Sequence, residues 1–427
     1  MLIDTKTEQA GYDGVGASER PEGDGSLKAS ASSAPAVTMF CWCYYPFPGG
    51  GADRVMQQVA EFLVRCGWRT SVFTKTFQGI PKREMVNGVA VQRVFTLEIK
   101  RLRYFSYMTS AFLHQLFRRD PGQVLHANQF YLQVPLSLLV SRLRGMRLVV
   151  GVHGSGVAGD MQRLRRLPLG LGHLILWAGR RADAIISLTD QMKQELVIAG
   201  MAPERVVQIP NGVDCARFAP VSPERRAELR AQFGLPADWP IVLFAGRLAH
   251  PKAVDVLLRS WKKLHERNPQ ALLVLAGTGP LKEEMEALCH ELGLDDAVRF
   301  LGWTDKTLLL YQSADLFVLS SWSEGMSIAL LESMACGLTP VVTNVAGNAA
   351  LVTHEHNGLL FAPGDEEGLA QALERGLKDT ALRARLAAAA RETITSRFSV
   401  EQMNRRYARL YQQVWEQRHR EKKEYQL

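Results

Sequence analysis

The chain has 427 residues, a formal net charge of +8, and hydrophobic and charged contents of 47% and 22%. That length exceeds one ordinary hydrophobic core, so two domains are expected, and the composition excludes a disordered or fibrous protein. The charge is mild and no long Lys/Arg block concentrates it; it suits an anionic ligand or an acidic membrane surface and does not call for nucleic acid.

The first 36 residues are rich in Gly, Ser, Ala, Asp and Glu and read as a disordered tail without a charged start and apolar core of secretory type. Order is expected from Val37, in the apolar run VTMFCWCYY. There Cys41 and Cys43 would share one strand face. The six cysteines form neither a disulfide framework nor a zinc-ligand spacing, so buried free thiols in a reducing compartment are expected. No window of about 20 apolar residues occurs, so no helix is expected to span a membrane. The expected location is cytoplasmic, with the inner face of the membrane as a peripheral option.

The loop PFPGGG and the helical pattern ADRVMQQVAEFLVRCG follow, with Val55, Val59, Phe62 and Leu63 on one face and Gly67 as the stop. Strand, glycine loop, helix is the opening unit of a parallel α/β sheet. TSVFTK, QVLHAN, LVVGVH and DAIISL read as its later strands. A second series begins after a junction at residues 211–240. PIVLFAGR, ALLVLAG, VRFLG, DLFVLSS and TPVVTN are its strands, and KAVDVLLRSWKKLHER is its first helix. The final stretch, from Ser399, predicts a long helix with Met403, Tyr407, Leu410, Tyr411 and Val414 on one stripe. The expected division is a tail over 1–36, an N-terminal domain over 37–220, a C-terminal domain over 221–400 and a terminal helix over 401–427. Each domain is a Rossmann-like parallel sheet. Ligands bind beyond the carboxyl ends of such strands, so the site belongs in the cleft between the two sheets.

Four stretches carry candidate chemistry. Gly49, Gly50 and Gly51 lie between a strand and a helix, where backbone N–H groups and the helix N-terminus can meet a phosphate. A ligand-free tight turn fits that run as well, and the GxGxxG spacing of nicotinamide sites is absent. In GRLAHPKAVDVLL, Arg247 leaves a strand end and Lys252 opens the next helix, a pairing suited to a diphosphate; two solvated surface charges are the plain alternative. In SEGMSIALLESMACG a helix from about Ser327 to Cys336 puts Glu324 above its start and Glu332 more than one turn in. At 1.5 Å per residue the two carboxylates stand on the order of 10 Å apart, about the span from sugar to ribose in a nucleotide diphosphate sugar. A capping Glu324 and a surface Glu332 fit the spacing equally. Finally, His153 ends the strand LVVGVH and could orient an acceptor hydroxyl or the donor sugar, whereas His126 reads more simply as structural.

Taken together, GGAD, VHG, PNGVD, GRLAHPKAVDVLL, AGTGPLKEE, VRFLGW, ADLFVLSSWSEGMSIALLESMACGLTPVVT and NGLLFAPGD resemble the retaining glycosyltransferases of family 4, from about Val37 to the C-terminus. The resemblance implies the GT-B fold, two Rossmann-like domains facing across a cleft with the C-terminal helix returning to the first. It implies a hexosyl unit moved from a nucleotide diphosphate sugar to an acceptor hydroxyl with retention of configuration, with no cofactor and no metal. Carried over by position, it places Gly50 and Gly51 at the donor phosphate and Arg247 and Lys252 on the diphosphate. Backbone N–H groups near Met326, Ser327 and Ile328 would add phosphate contacts, Glu324 would hold the sugar, Glu332 the ribose, and His153 would lie beside the transferred sugar. Two departures bear on the finer shape around the donor. Ala346 and Ala350 stand where many relatives carry glycine and glutamate, and Ala253 stands where glycine is usual.

The acceptor, a glycan, a lipid-linked group or a small molecule, leaves no motif. KRLRYFSYMTSAFLHQLFRR is basic and aromatic at helical spacing. It could rest on an anionic membrane or be an ordinary helix with a solvated basic face. Two other readings of the whole chain are an inactive nucleotide-binding scaffold, against which the intact set of charges argues, and a nucleotide-sugar epimerase on the same fold.

Overall fold

The computed structural model describes residues 34–46, 50–99, 102–154, 160–165, 167–168 and 170–424. The expected disordered tail falls outside these residues, except that Ala34 is already buried and the first strand begins at Ala36, one residue before the expected start.

The first half contributes strands β1 (Ala36–Phe40), β2 (Arg69–Lys75), β3 (Arg83–Val86), β4 (Val89–Val94), β5 (Val124–Ala127), β6 (Arg147–Gly151), β7 (Ala184–Ser187) and β8 (Val206–Gln208). Its helices are α1 (Gly51–Arg65), α2 (Arg103–Phe117), α3 (Gln133–Leu143), α4 (Asp160–Arg165), α5 (Leu171–Gly179) and α6 (Asp190–Ile198). The second half contributes β9 (Ile241–Ala245), β10 (Leu272–Ala276), β11 (Val298–Gly302), β12 (Leu316–Leu319), β13 (Thr339–Thr343) and β14 (Leu359–Phe361). Its helices are α7 (Pro223–Gln232), α8 (Val254–Arg267), α9 (Lys282–Glu291), α10 (Thr307–Ser313), α11 (Ile328–Ala335), α12 (Ala346–Ala349), α13 (Glu366–Lys378) and α14 (Thr380–Arg397), and α15 (Val400–Glu424) closes the chain.

The strands form two sheets, ordered β3-β4-β2-β1-β5-β6-β7-β8 and β11-β10-β9-β12-β13-β14. Every pairing is parallel except β3 with β4. Short runs such as IVLFA and LLVLA are buried along their whole length, as strands covered on both faces must be. The antiparallel β3–β4 hairpin is missing from the sequence reading. Its turn is Asn87-Gly88, both at positive φ, a dipeptide that favours a two-residue hairpin. β1 ends at Phe40, so Cys41 and Cys43 lie past the strand and do not share its face, although both are buried.

α15 returns to the first half. Met403, Tyr407, Leu410, Tyr411 and Val414 are all buried in one apolar cluster with Val55, Val59 and Leu63 of α1. Burying each such side chain contributes roughly 1.5–3 kcal/mol, enough to hold the helix there. At the crossing point the two connecting segments are zipped together. The Val213 N–H donates to Phe398 O at 2.9 Å, and the Val400 N–H donates to Val213 O at 2.9 Å. A Cβ on Gly212 would lie 2.6 Å from Ser399 O, so only glycine lets the strands approach this closely.

α15 also seals His126. The imidazole Nδ1 meets the Tyr411 hydroxyl, and its ring stacks on Tyr407 at 6.2 Å. Burial, and then the neighbouring His153, push the His126 pKa down to about 3. Because the unfolded imidazole titrates near 6.5, the folded state is fully favoured above that value and loses stability as pH falls toward 3. Between pH 8 and pH 5 the expected loss from this residue is about 2 kcal/mol. Urea unfolding at the two pH values should show it, and His126→Gln should remove that share of the difference; an unchanged pH dependence in the variant would refute the assignment.

Candidate active site

The cleft is built where strand ends of the two sheets converge, and glycines set how closely. A Cβ on Gly325 would stand 1.9 Å from His153 O, across the cleft. A Cβ on Gly51, the first residue of α1, would stand 2.9 Å from Ile328 Cγ1, the first residue of α11. Two helix N-termini from different halves therefore meet. Their free N–H groups and aligned peptide dipoles make the point between them an anion site. Gly50 is the N-cap of α1 and makes no side-chain cap hydrogen bond. Its backbone is extended and the space beside it is open, so its small size, not its φ, is what a ligand there could use. Gly49 lies outside the described residues. Ser327 caps α11, its hydroxyl accepting from the Leu330 N–H at 3.3 Å, while the carbonyl of buried Met326 accepts from Asn211 Nδ2 at 3.1 Å.

Lys252 and Glu324 form an ion pair at 2.6 Å, with the carboxylate nearly buried and the ammonium partly so. Ser321 Oγ donates to the same carboxylate oxygen at 2.6 Å. The lysine is positioned by its own carbonyl and that of Ala253, which both accept from Ser320 Oγ, at 2.9 and 2.8 Å. Ala253 adopts φ 47° and ψ 48°, a left-handed conformation that costs an L-residue roughly 1–2 kcal/mol. The departure from glycine noted in the sequence is thus a strained position. Gly347 packs against this loop as well: a Cβ there would lie 2.5 Å from Glu324 O. Ala346 and Ala350 begin and cap α12 on either side of that contact. Arg247 stands exposed two residues beyond β9 and makes no ion pair among the described residues. Its neighbour Gly246 faces Lys252, whose Cε lies 3.7 Å from a Cβ placed on that glycine.

Glu332 is buried, which rules out the surface position the spacing allowed. Burial raises its pKa; Arg54, the Tyr311 hydroxyl and Arg217 act in the opposite direction. Arg54, on the first turn of α1, lies 4.0 Å away across the cleft. A buried carboxylate with so distant a counter-ion is poised to accept from hydroxyl donors.

His153 is partly buried. Its Nε2 lies 3.0 Å from Asn128 Oδ1, a contact that favours the Nε2–H tautomer and leaves Nδ1 as an acceptor. Burial lowers its pKa against the opposing pull of Asp160, and the neutral imidazole is the form able to accept a proton or hydrogen bond. Asp160 also holds the loop, accepting from the backbone N–H groups of His153 and Gly154 at 3.1 and 3.2 Å. Beside it is an aromatic group. Trp42 and Tyr104 have ring centroids 5.2 Å apart, Tyr131 stands 6.0 Å from Tyr104, and Lys75 and Arg103 lie over the Trp42 ring.

The fold thus brings His153, Glu324, Lys252, Met326, Ser327, Ile328 and Gly51 to one cleft, with Glu332 at its other end facing Arg54. Sequence reading missed Arg54, Asn128, Asp160, Asn211 and the aromatic group. PNGVD flagged Asn211 only as part of a motif, Asp160 meets the N–H groups of His153 and Gly154 seven and six residues back in the chain, and the others meet their partners through tertiary packing.

Comparison with known proteins settles the family. A profile described as "Glycosyltransferase Family 4" matches residues 49–217, and one described as "Glycosyl transferases group 1" matches residues 225–393. A D-inositol 3-phosphate glycosyltransferase of Saccharomonospora viridis is 31% identical over 373 residues, spanning 80% of this chain and 84% of that protein. The chain belongs to glycosyltransferase family 4. An uncharacterized glycosyltransferase of Methanocaldococcus jannaschii is 27% identical across 88% of this chain and 97% of its own length. Among solved structures, Anabaena HepE in complex with UDP-glucose superimposes with a TM-score of 0.74 at 21% identity, over 88% of this chain and 99% of that one. At that identity the likeness speaks for the fold, which is GT-B. The chain is accordingly a family 4 glycosyltransferase.

Proposed function

We propose that this glycosyltransferase moves a hexosyl unit from a nucleoside diphosphate hexose to an acceptor hydroxyl with retention of configuration, in the building of a glycan, a glycolipid or a glycosylated metabolite. The observation that carries it is the meeting of two helix N-termini at Gly51 and Ile328, in the cleft where Lys252 pairs with Glu324; Arg247, exposed past the end of β9, is assigned to the same diphosphate. Such a meeting point suits a diphosphate. The same cations and N–H groups can neutralise the departing nucleoside diphosphate, so no metal and no cofactor is assigned to the step. Glu324 then receives the sugar hydroxyls when Lys252 turns to the phosphates, and Glu332 receives the ribose. Neutral His153 stands on the opposite wall, beside the transferred sugar. HepE, crystallised with UDP-glucose, supports a nucleotide-sugar donor of this kind. The chain is expected to act in the cytoplasm, with a peripheral contact at the inner face of the membrane.

The test is a thermal-shift screen of nucleoside diphosphate sugars, in which the donor raises the melting temperature by mass action, followed by kinetics with the donor so found. Glu332→Ala should raise the donor KM about tenfold to a hundredfold, the value of one or two hydrogen bonds to a charged group, with kcat little changed. Glu324→Ala should instead lower kcat. Equal effects of both variants on both constants would remove the two-ended clamp.

A further inference from the structure

We propose that the outer surface of the α2, α3 and α5 layer is a docking face for an anionic lipid bilayer. These helices cover one side of the first sheet: Tyr107 and Met108 of α2, Val134 and Leu138 of α3, and Ile175 and Ala178 of α5 share one core with Phe40, Leu125 and Leu148. α1 and α15 cover the other side. The outward surfaces of the three helices therefore form one face.

That face is apolar where a surface helix is normally polar. On α2, Phe105, Leu113 and Phe117 follow one another at multiples of four residues, and Phe105 and Phe117 are 60% and 79% exposed. The solvated basic face allowed by the sequence is thus not what this helix turns outward. Leu143 on α3, and Leu174 and Trp177 on α5, are exposed in the same layer. Of the large apolar side chains that stand exposed among the described residues, only Trp303 and Trp322 belong to the second sheet's half.

The stretch of sequence that carries these helices is also basic, although no long Lys/Arg block marks it. From Lys100 to Asp183 the sequence holds thirteen Lys and Arg against three acids. This segment alone exceeds the +8 of the whole chain, leaving the remainder slightly acidic. The three acids are engaged: Asp120 pairs with Arg69, Asp183 with Arg147, and Asp160 holds the His153 loop. Arg119, Arg142, Arg180 and Arg181 stand exposed, and the Arg181 guanidinium lies 4.2 Å over the Trp177 ring.

Exposed apolar tips together with exposed arginines match one occupant, a surface with hydrocarbon beneath anionic headgroups. A second copy of the chain fits worse, because a two-fold contact would set arginine against arginine. No described helix is long and apolar enough to cross a membrane, so the contact is peripheral. The first turn of α2 lies at the cleft end, where Tyr104 meets Trp42, so a chain docked this way holds the His153 wall of its cleft close to the lipid surface. Only that last consequence rests on the transferase reading; docking itself needs no donor.

The test is flotation of the full chain with phosphatidylcholine vesicles, with and without phosphatidylglycerol, at low and high salt. Binding is expected only with phosphatidylglycerol and should fall as salt rises. Phe105→Ser with Phe117→Ser should weaken it by about tenfold or more, and Arg142→Gln with Arg181→Gln by about fivefold per arginine. All four changes are at exposed positions, and an unchanged melting temperature confirms the fold of each variant. Absence of binding to phosphatidylglycerol vesicles, or equal binding by the variants, overturns the proposal. So does a dimer in light scattering that Phe117→Ser disperses, which would show that a second copy covers the face. Failure here leaves the donor thermal shift untouched, and failure of the donor screen leaves vesicle binding untouched.

Discussion

Replacing Lys252 by alanine is expected to lower kcat about a hundredfold to a thousandfold, the usual cost of losing one pre-aimed group at a developing charge, or about 2.7–4 kcal/mol. Two effects act together. The leaving nucleoside diphosphate loses the cation proposed to meet it. Glu324, nearly buried and paired with Lys252 at 2.6 Å, loses its counter-ion and keeps the Ser321 hydroxyl at 2.6 Å. Lys252→Arg should restore little, because a planar fork cannot occupy the place of a point charge between Glu324 and a phosphate. Single-turnover kinetics with the identified donor separate the chemical step from product release. A kcat within about tenfold of the native value would show that Lys252 has no part in leaving-group departure.

The second large effect comes from a residue with no side chain. Gly325→Ala would place a methyl group 1.9 Å from the His153 carbonyl oxygen and 2.9 Å from its carbon. Backbone on one half of the molecule meets backbone on the other, so no side chain can swing aside. The halves must part by on the order of 1 Å, and a displacement of that size at a reacting centre can cost about a hundredfold. The expected result is a fall of that order in kcat/KM, with at most about 1–3 kcal/mol lost in stability, because the separation can be taken up at the junction between the sheets. Paired measurements of kcat/KM and of urea unfolding would show it. Native kcat/KM in a folded variant would mean that the His153 loop and the Glu324 loop need not touch during turnover.

Much of this architecture is legible in the residues. Apolar runs four to seven residues long, each followed by a helical pattern, declare parallel strands covered on both faces. The stripe Met403, Tyr407, Leu410, Tyr411 and Val414 announces a helix that must be buried against something. The turn dipeptide Asn87-Gly88 is equally legible, but β3 is largely exposed and lacks the apolar character of its neighbours, so periodicity does not mark the hairpin. The charged set Arg247, Lys252, Glu324 and Glu332 was found from position relative to strand ends and a helix start, which are local properties.

What the sequence determined by itself is therefore each half separately: two parallel sheets, a terminal helix with a buried stripe, and two loops bearing opposite charges at strand ends. Tertiary structure alone decided how those pieces meet. It paired Lys252 with Glu324 and faced Glu332 with Arg54. It set Gly51 against Ile328 and Gly325 against His153, and it turned the apolar stripe of α2 outward. The physical reason is that periodicity and capping report on neighbours within a few residues along the chain. Contacts across the cleft join positions a hundred or more residues apart, and their distances follow from how two rigid sheets dock, a quantity that no local pattern encodes.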